Sequence, residues 1–334
     1  VARVRVEEIR LESKEAIQEV AVNRVHLESI QRIARLIPGH DLLWLGLGSA
    51  SLLFGYFTHY RGFFALFAPE NLLSLSVGFV RASLPAICLG SAMVGLRPIV
   101  EIMTINFSLL AMDQIVNHAA KVRYMSAGQL KSPLIIRTVT GGGASVGATH
   151  SQSLEGWFAS VPGLRVAVPA TPYDALGLLR YSMQQEDPVI FVEHTLLYSS
   201  RGEVPDEWYV VPFGRADVKR AGTDVTIVAY SRMVTVALRA AEELEGRGVS
   251  AEVIDLRTLS PLDSETVVAS VGKTGRAVVV EETWRTGGFG ATVVGLIQEE
   301  AFDSLDAPVA RVAGEEVPMP YSRYLEQAAI PDQR

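Results

Sequence analysis

Cysteine is almost missing from this chain, since Cys88 is the one cysteine among 334 residues. A single thiol excludes an internal disulfide framework and a metal site built from several cysteines. Blocks of basic residues are also missing, and the formal net charge of −7 argues against nucleic acid as the main partner. We therefore expect a reduced, intracellular protein and predict a cytoplasmic location. The mixed charges at the N-terminus differ from the basic and then apolar order of a secretory signal.

Charged residues are missing from residues 42–58, a length at the short end for a membrane-spanning helix. The stretch contains three glycines and three serine or threonine residues, which also suit a buried strand followed by a loop and the start of a helix. We favour the buried interpretation, so a membrane span is not expected.

Apolar patterning predicts an α/β protein. Short apolar runs at 134–137, 166–168 and 189–192 predict buried strands, and helical spacing predicts one helix from Asp113 to Met125. Farther along, strands are predicted at 224–230, 250–255, 276–280 and 309–312, and helices at 234–247, 263–271 and 290–301. This alternation predicts right-handed crossovers and mainly parallel sheets.

Residues 199–215 interrupt this pattern with two prolines and two glycines and contain no long periodic element. Such composition is typical of a connection between domains. The sequence therefore predicts one domain at 10–198 and a second at 216–334.

A glycine-rich run at 141–147 is followed by the motif Thr149-His150-Ser151-Gln152-Ser153. Glycines let a backbone approach a ligand closely, and a histidine beyond such a loop can transfer protons near neutral pH. A tight turn beside one structural histidine would give the same local pattern.

Longer motifs surround this histidine on both sides. They are GLRPIVEIMTINF at 95–107, AMDQIVNHAAK at 111–121, RYMSAG at 123–128, VPGL at 161–164 and PATPYDA at 169–175. Together they resemble the beta subunit of the thiamine-diphosphate-dependent decarboxylating component of 2-oxo acid dehydrogenase complexes. Pyruvate dehydrogenase and branched-chain 2-oxo acid dehydrogenase are the main members, and the resemblance covers about residues 86–330.

The resemblance implies two α/β domains with mainly parallel sheets, a transketolase-like pyrimidine-binding domain and a C-terminal α/β domain. It implies an oxidoreductase subunit that is active only with an alpha subunit, in an alpha2-beta2 heterotetramer. The reaction would be decarboxylation of a 2-oxo acid on thiamine diphosphate, followed by reductive acyl transfer to lipoyl on an acyltransferase core.

The sequence Gly-Asp-Gly, with which the family's metal-diphosphate motif begins, does not occur in this chain. The resemblance places that motif, and the Mg²⁺ it binds, on the alpha subunit. The cofactor is therefore expected to lie between two chains, with this chain holding its aminopyrimidine ring.

The resemblance also assigns roles to individual residues. His150 matches the histidine beside the reacting carbonyl, with a role in proton transfer or orientation. Phe107 matches the aromatic residue that packs on the aminopyrimidine, while Tyr124 and Arg123 are candidates for the mouth of the pocket. Glu101 is interpreted either as a carboxylate in the pocket wall or as a salt-bridged surface residue.

A potassium site built from backbone carbonyls is a further implication, because carbonyl oxygens suit a hard cation. The matching positions are Leu134, Ser182, Gln185 and Asp187. In the second domain, Glu281 and Glu282 follow a predicted strand, and we expect this adjacent pair to be solvated. The segment around them is expected to contact another subunit or the acyltransferase core.

Acidic residues are missing between Glu70 and Glu101, where the family has the glutamate that activates the aminopyrimidine. Counting back from Ala92 places Arg81 at that cofactor-binding position, and counting forward from Arg61 places Phe79 there. A second family motif, Gly-Glu-Asp, is replaced by Gly-Leu-Gly at 46–48.

Two explanations fit the missing glutamate. Either the chain is a catalytically inactive, structural beta subunit, or residues 40–85 contain local errors of sequence or reading frame. The return of near-complete matching after Ala92 favours the second. The sequence does not identify which 2-oxo acid is used.

Overall fold

The computed structural model describes residues 84–333 of the chain. Arg81, Phe79 and the uncharged stretch at 42–58 therefore lie outside the described residues. Within 84–333, the chain forms two five-stranded sheets surrounded by helices.

The first sheet has the strand order β1-β2-β4-β3-β8. Its strands are β1 (Ile99–Ile102), β2 (Ile135–Thr140), β3 (Arg165–Ala167), β4 (Val189–His194) and β8 (Thr258–Ser260). The first four pair in parallel, whereas β8, which comes from the C-terminal half, pairs antiparallel with β3. Parallel strands covered on both faces require continuous apolar runs, and Val189 to Val192 are all fully buried.

The second sheet has the order β10-β9-β6-β7-β5. Its strands are β5 (Asp217–Arg220), β6 (Val225–Ala229), β7 (Ala251–Asp255), β9 (Ala277–Trp284) and β10 (Ala310–Gly314). All pair in parallel except β5, which is antiparallel to β7. The predicted alternation of strands and helices in this half is therefore present.

Helices connect the strands and cover both sheets. The α-helices are α1 (84–93), α2 (Val122–Met125), α3 (Glu155–Ala159), α4 (Pro172–Ser182), α5 (Arg232–Glu245), α6 (Ser264–Thr274), α7 (Gly290–Glu300) and α8 (Arg323–Ala329). Short 3₁₀ turns lie at Ile105–Ala111, Thr195–Leu197 and Phe302–Ser304. Helix α4 begins after Thr171, whose hydroxyl accepts the Asp174 amide at 3.1 Å, as an N-cap should.

The continuous helix predicted from Asp113 to Met125 was wrong. A π-helix occupies Asp113–Ala119, with the Ala120 amide donating to the Ile115 carbonyl at 3.0 Å, and helix α2 follows separately. Apolar spacing reports which face of a helix is buried, but it does not distinguish i to i+4 from i to i+5 bonding.

Residues 199–215 contain neither helix nor strand, although Val211 and Phe213 are buried against the first sheet. The domain boundaries at 198 and 216 stay a prediction. One apolar core runs across both halves, since Leu154 and Phe158 belong to the same cluster as Val228 and Tyr230. Among residues 84–333, none of the helices is long and apolar enough to cross a membrane.

Candidate functional site

Phe107 and His150 meet at one edge of the first sheet. Phe107 lies in the 3₁₀ turn that follows β1, and His150 lies beyond the glycine-rich loop that follows β2. Because β1 and β2 are parallel neighbours, the segments after them emerge at the same edge, where α/β proteins bind ligands. The ring centroids are 5.2 Å apart with an interplanar angle of 84°, an edge-to-face contact.

A cavity of about 180 Å³ lies beside Phe107, and His150 is not among its lining residues. It is lined by Leu84, Pro85, Val100, Glu101, Ile102, Met103 and Phe107. Glu101 contributes to the wall and also forms an ion pair with Arg137 at 3.1 Å, so both interpretations of this residue hold. The cavity thus combines apolar walls with one carboxylate.

Asn106 is a polar residue that sequence reasoning did not single out. Its side chain is 8% exposed, and neither amide atom has a hydrogen-bond partner among the described residues. A buried carboxamide without partners is costly, and Asn106 is not among the residues that line the cavity. The signal available in the sequence was a polar residue inside the apolar run 102–107.

Tyr124 and Arg123 differ in their surroundings. Tyr124, on helix α2, is 88% exposed. Arg123 donates to the Asp187 carboxylate at 2.7 Å, which joins it to the segment expected to hold a cation. Neither residue is among those that line the cavity beside Phe107.

The four carbonyl positions expected for potassium are already partly engaged. The Leu134 carbonyl accepts the Val189 amide at 2.9 Å, and the Ser182 carbonyl accepts the Gln185 amide at 3.1 Å. A carbonyl oxygen has two lone pairs, so each could still coordinate a cation. The potassium site therefore stays a prediction.

Positive charge from the protein already lies close to these carbonyls. The Arg97 guanidinium donates to the Gln185 carbonyl at 2.6 Å, and the Asp187 carboxylate pairs with Arg123 and Arg165. In the part of the chain that the structure describes, no group of three histidine, cysteine or acidic side chains could hold a metal ion.

The expectation that Glu281 and Glu282 are solvated was wrong. They are 0% and 7% exposed, because β9 continues through both residues and lies between β10 and β6 inside the second sheet. Glu281 accepts the Gly290 amide at 2.8 Å and pairs with Arg311. Burial raises the pKa of Glu281, opposed by those two contacts.

Glu282 connects the second domain to the glycine-rich loop. It accepts the Gly142 amide at 2.7 Å and lies 3.0 Å from His194 Nε2 and 3.1 Å from an Arg232 nitrogen. Burial opposes ionisation of this carboxyl, but its pKa is lowered because His194, Arg232 and the amide stabilise the charge. The loop amide that was expected to face a ligand therefore binds the protein's own carboxylate.

Glu155 lies five residues after His150 and is also buried. Its carboxyl accepts the Thr140 hydroxyl at 2.9 Å, at the end of β2. Burial raises the pKa of Glu155 to about 7, with a smaller contribution from Glu282. Sequence reasoning missed this residue, and an acid in the apolar segment Leu154 to Phe158 was the available signal.

Comparison with known proteins places this geometry in a class. Residues 82–200 match the transketolase pyrimidine-binding domain, and residues 214–334 match the transketolase C-terminal domain. A solved structure, described as a split-gene transketolase and inactive beta4 tetramer, superposes with a TM-score of 0.63 at 27% identity, covering 76% of this chain and 78% of that one. The two-domain, transketolase-like α/β fold expected from the motifs is thereby confirmed.

Curated relatives define the family within that class. The pyruvate dehydrogenase E1 component subunit beta-2, mitochondrial, of Oryza sativa subsp. japonica is 47% identical over 81% of this chain and 73% of its own length. The corresponding beta subunit of Rickettsia bellii is 42% identical over 82% of this chain and 83% of its own. This chain belongs to the family of pyruvate dehydrogenase E1 beta subunits, as its motifs predicted.

Proposed function

We propose that this chain works with an alpha subunit in the thiamine-diphosphate-dependent decarboxylation of a 2-oxo acid, followed by reductive acyl transfer to lipoyl. The observation that carries the proposal is the contact between Phe107 and His150 at the edge of the first sheet, beside a cavity. Membership of the pyruvate dehydrogenase E1 beta family supports pyruvate as the first substrate to test.

The residues present fit the aminopyrimidine ring of thiamine diphosphate. Phe107 offers an aromatic surface, and the cavity walls are mainly apolar. Glu101 adds a carboxylate to the same wall. When bound, the cofactor supplies the electron sink that decarboxylation requires. The Mg²⁺ and the diphosphate contacts are assigned to the alpha subunit.

His150 is proposed to handle a proton or orient the reacting group. Its Nδ1 lies 3.0 Å from the Thr149 hydroxyl, which leaves Nε2 as the nitrogen available to a substrate. The edge contact with Phe107 fixes the plane of the imidazole beside the aromatic surface proposed for the cofactor. A general acid or base must first lie within hydrogen-bond reach of the reacting group, and only then does its pKa affect the rate.

The assembly is proposed to be an alpha2-beta2 heterotetramer that passes its acyl group to a lipoylated acyltransferase core. A location in the cytoplasm and a potassium ion at the carbonyls of Leu134, Ser182, Gln185 and Asp187 complete the proposal. Subcellular fractionation tests the location. Turnover and thermal stability in K⁺ compared with choline test the cation.

The central experiment measures cofactor-dependent decarboxylation by this chain co-expressed with an alpha subunit, with pyruvate and with branched 2-oxo acids. The gene is first resequenced across residues 40–85. Turnover should require thiamine diphosphate and Mg²⁺, and His150→Gln should lower kcat by about 100-fold, in the range typical of a general acid or base.

His118→Gln is the matched control, because His118 is an exposed histidine paired with Asp113, and it should leave turnover unchanged. Turnover by the sequence as written would show that a group other than the family glutamate activates the cofactor. An assembled tetramer without turnover, restored by Arg81→Glu or by a corrected reading frame, would place the defect there. No turnover after either correction would contradict the proposed function.

A further inference from the structure

The glycine-rich loop before His150 is bound by a carboxylate from the last helix. Glu326, on helix α8, is 1% exposed. Its carboxylate accepts the Gly143 amide at 2.8 Å and the Ser145 amide at 3.0 and 3.1 Å, and it also accepts the Ser145 hydroxyl at 3.1 Å. These donors lie more than 180 residues away in sequence.

The loop conformation turns these amides toward one point. Gly143 and Ser145 have φ angles of 97° and 54°, both in the left-handed region. Where the backbone alternates between right-handed and left-handed conformations, successive N–H groups form a concavity that binds anions. Glu326 fills this concavity, and Glu282 binds the preceding amide of Gly142. The anion that the loop binds is thus part of the protein.

The segment before α8 closes over the same loop. A Cβ atom at Gly147, whose φ is 79°, would overlap the Tyr321 ring, so only glycine permits this contact. A Cβ at Gly142 would lie 3.1 Å from the Met319 methyl carbon. Residues 319–326 therefore cover the loop from one side.

The loop that Glu326 binds leads to His150. The His150 amide donates to the Gly147 carbonyl at 3.2 Å, and its ring meets Phe107 edge-on. We propose that Glu326 is a positioning residue: it fixes the loop at 143–147 and through it the imidazole of His150. This inference rests on the role proposed for His150. The Glu326 carboxylate binds Gly143 and Ser145 of the loop and acts on His150 through them.

The test uses the assembled complex of this chain with an alpha subunit and the variant Glu326→Gln. The amide of glutamine has one acceptor oxygen, whereas the carboxylate accepts from three loop donors. Hydrogen exchange at the Gly143, Ser145 and His150 amides should become about ten-fold faster or more, with β2 unchanged. The kcat should fall about ten-fold or more with KM within about two-fold, since misplacement of a reacting group lowers the rate of chemistry.

Glu315→Gln is the control, because Glu315 is an exposed glutamate that lies before residues 319–326, and it should leave both measurements unchanged. Ser145→Ala is a milder variant that keeps the carboxylate and should shift exchange in the same direction by a smaller amount. It decides the question if Glu326→Gln fails to fold.

Faster exchange with an unchanged kcat would overturn the positioning role, and so would unchanged exchange. Absence of turnover in the wild-type complex would count against the proposed function instead. In that case faster exchange at the His150 amide supports the inference, and unchanged exchange there overturns it.

Discussion

Replacement of Glu155 by glutamine should make the protein more stable at pH 8 and leave its stability at pH 4 nearly unchanged. The side chain is 2% exposed, and burial raises its pKa from 4.5 to about 7. Glutamine keeps the shape of the protonated acid and an oxygen that accepts the Thr140 hydroxyl. It never has to ionise in a buried site.

The sign and size follow from proton linkage. Between pH 4.5 and about 7 the unfolded chain has lost this proton while the folded protein keeps it, so the stability falls as pH rises through that window. Above about pH 7 the folded protein carries the full cost of a buried charge. A rise of the pKa from 4.5 to about 7 corresponds to about 3 kcal/mol.

The assay is the thermal unfolding midpoint of wild type and variant at pH 4, 6 and 8. A difference of about 3 kcal/mol corresponds to about 4 °C for a chain of this size. Glu300→Gln, at the exposed end of α7, is the matched control for the loss of a glutamate charge. A variant that is less stable than wild type at pH 8, or a difference that is equal at all three pH values, would refute the reasoning.

Four further substitutions test the fold, with Gly248→Ala as the control for Gly163→Ala. Gly163→Ala should lower the free energy of unfolding, measured by urea titration, by about 3 kcal/mol, because φ is 99° and the new Cβ would overlap the Ala120 carbonyl oxygen. Gly248 has a φ of 79° but open space around it, so Gly248→Ala should lower the same free energy by about 1 kcal/mol. Lys219→Met should cost about 3 kcal/mol in chemical denaturation, because it removes the cation that pairs with Asp174, Asp217 and Asp255 and leaves Arg257 to pair with only the first two. Phe191→Ala, at a fully buried position in β4, should cost about 4 kcal/mol, and a loss below about 1 kcal/mol would contradict the tight packing described.

Local patterning was sufficient for the main strands and helices of the second half. In that half, the apolar run 277–280 predicted a strand in a sheet covered on both faces, and β9 contains it. The strands β5 and β8 were missed because Asp217–Arg220 is mostly polar and Thr258–Ser260 has only three residues. Their pairing partners are set by the tertiary fold, which a local pattern does not encode.

The candidate site divides in the same way. Phe107 and His150 were identified through motifs, and the parallel pairing of β1 with β2 explains why they meet. Glu155, Glu282 and Glu326 were missed or misjudged because their burial depends on partners at 15, 140 and 183 residues in sequence. A carboxylate in a charged or mixed segment is usually solvated, so only the tertiary structure reveals these exceptions.

The strand β8 comes from the second half of the chain and pairs with β3 of the first half, so the first sheet is incomplete without the second half. A gene cut in the segment 199–215 would leave β3 as an open edge, with unpaired backbone groups that invite association between copies. A design that transfers the first domain into another protein must therefore include Thr258–Ser260 or a substitute strand. The two domains that the family models describe separately therefore form one structural unit in this chain.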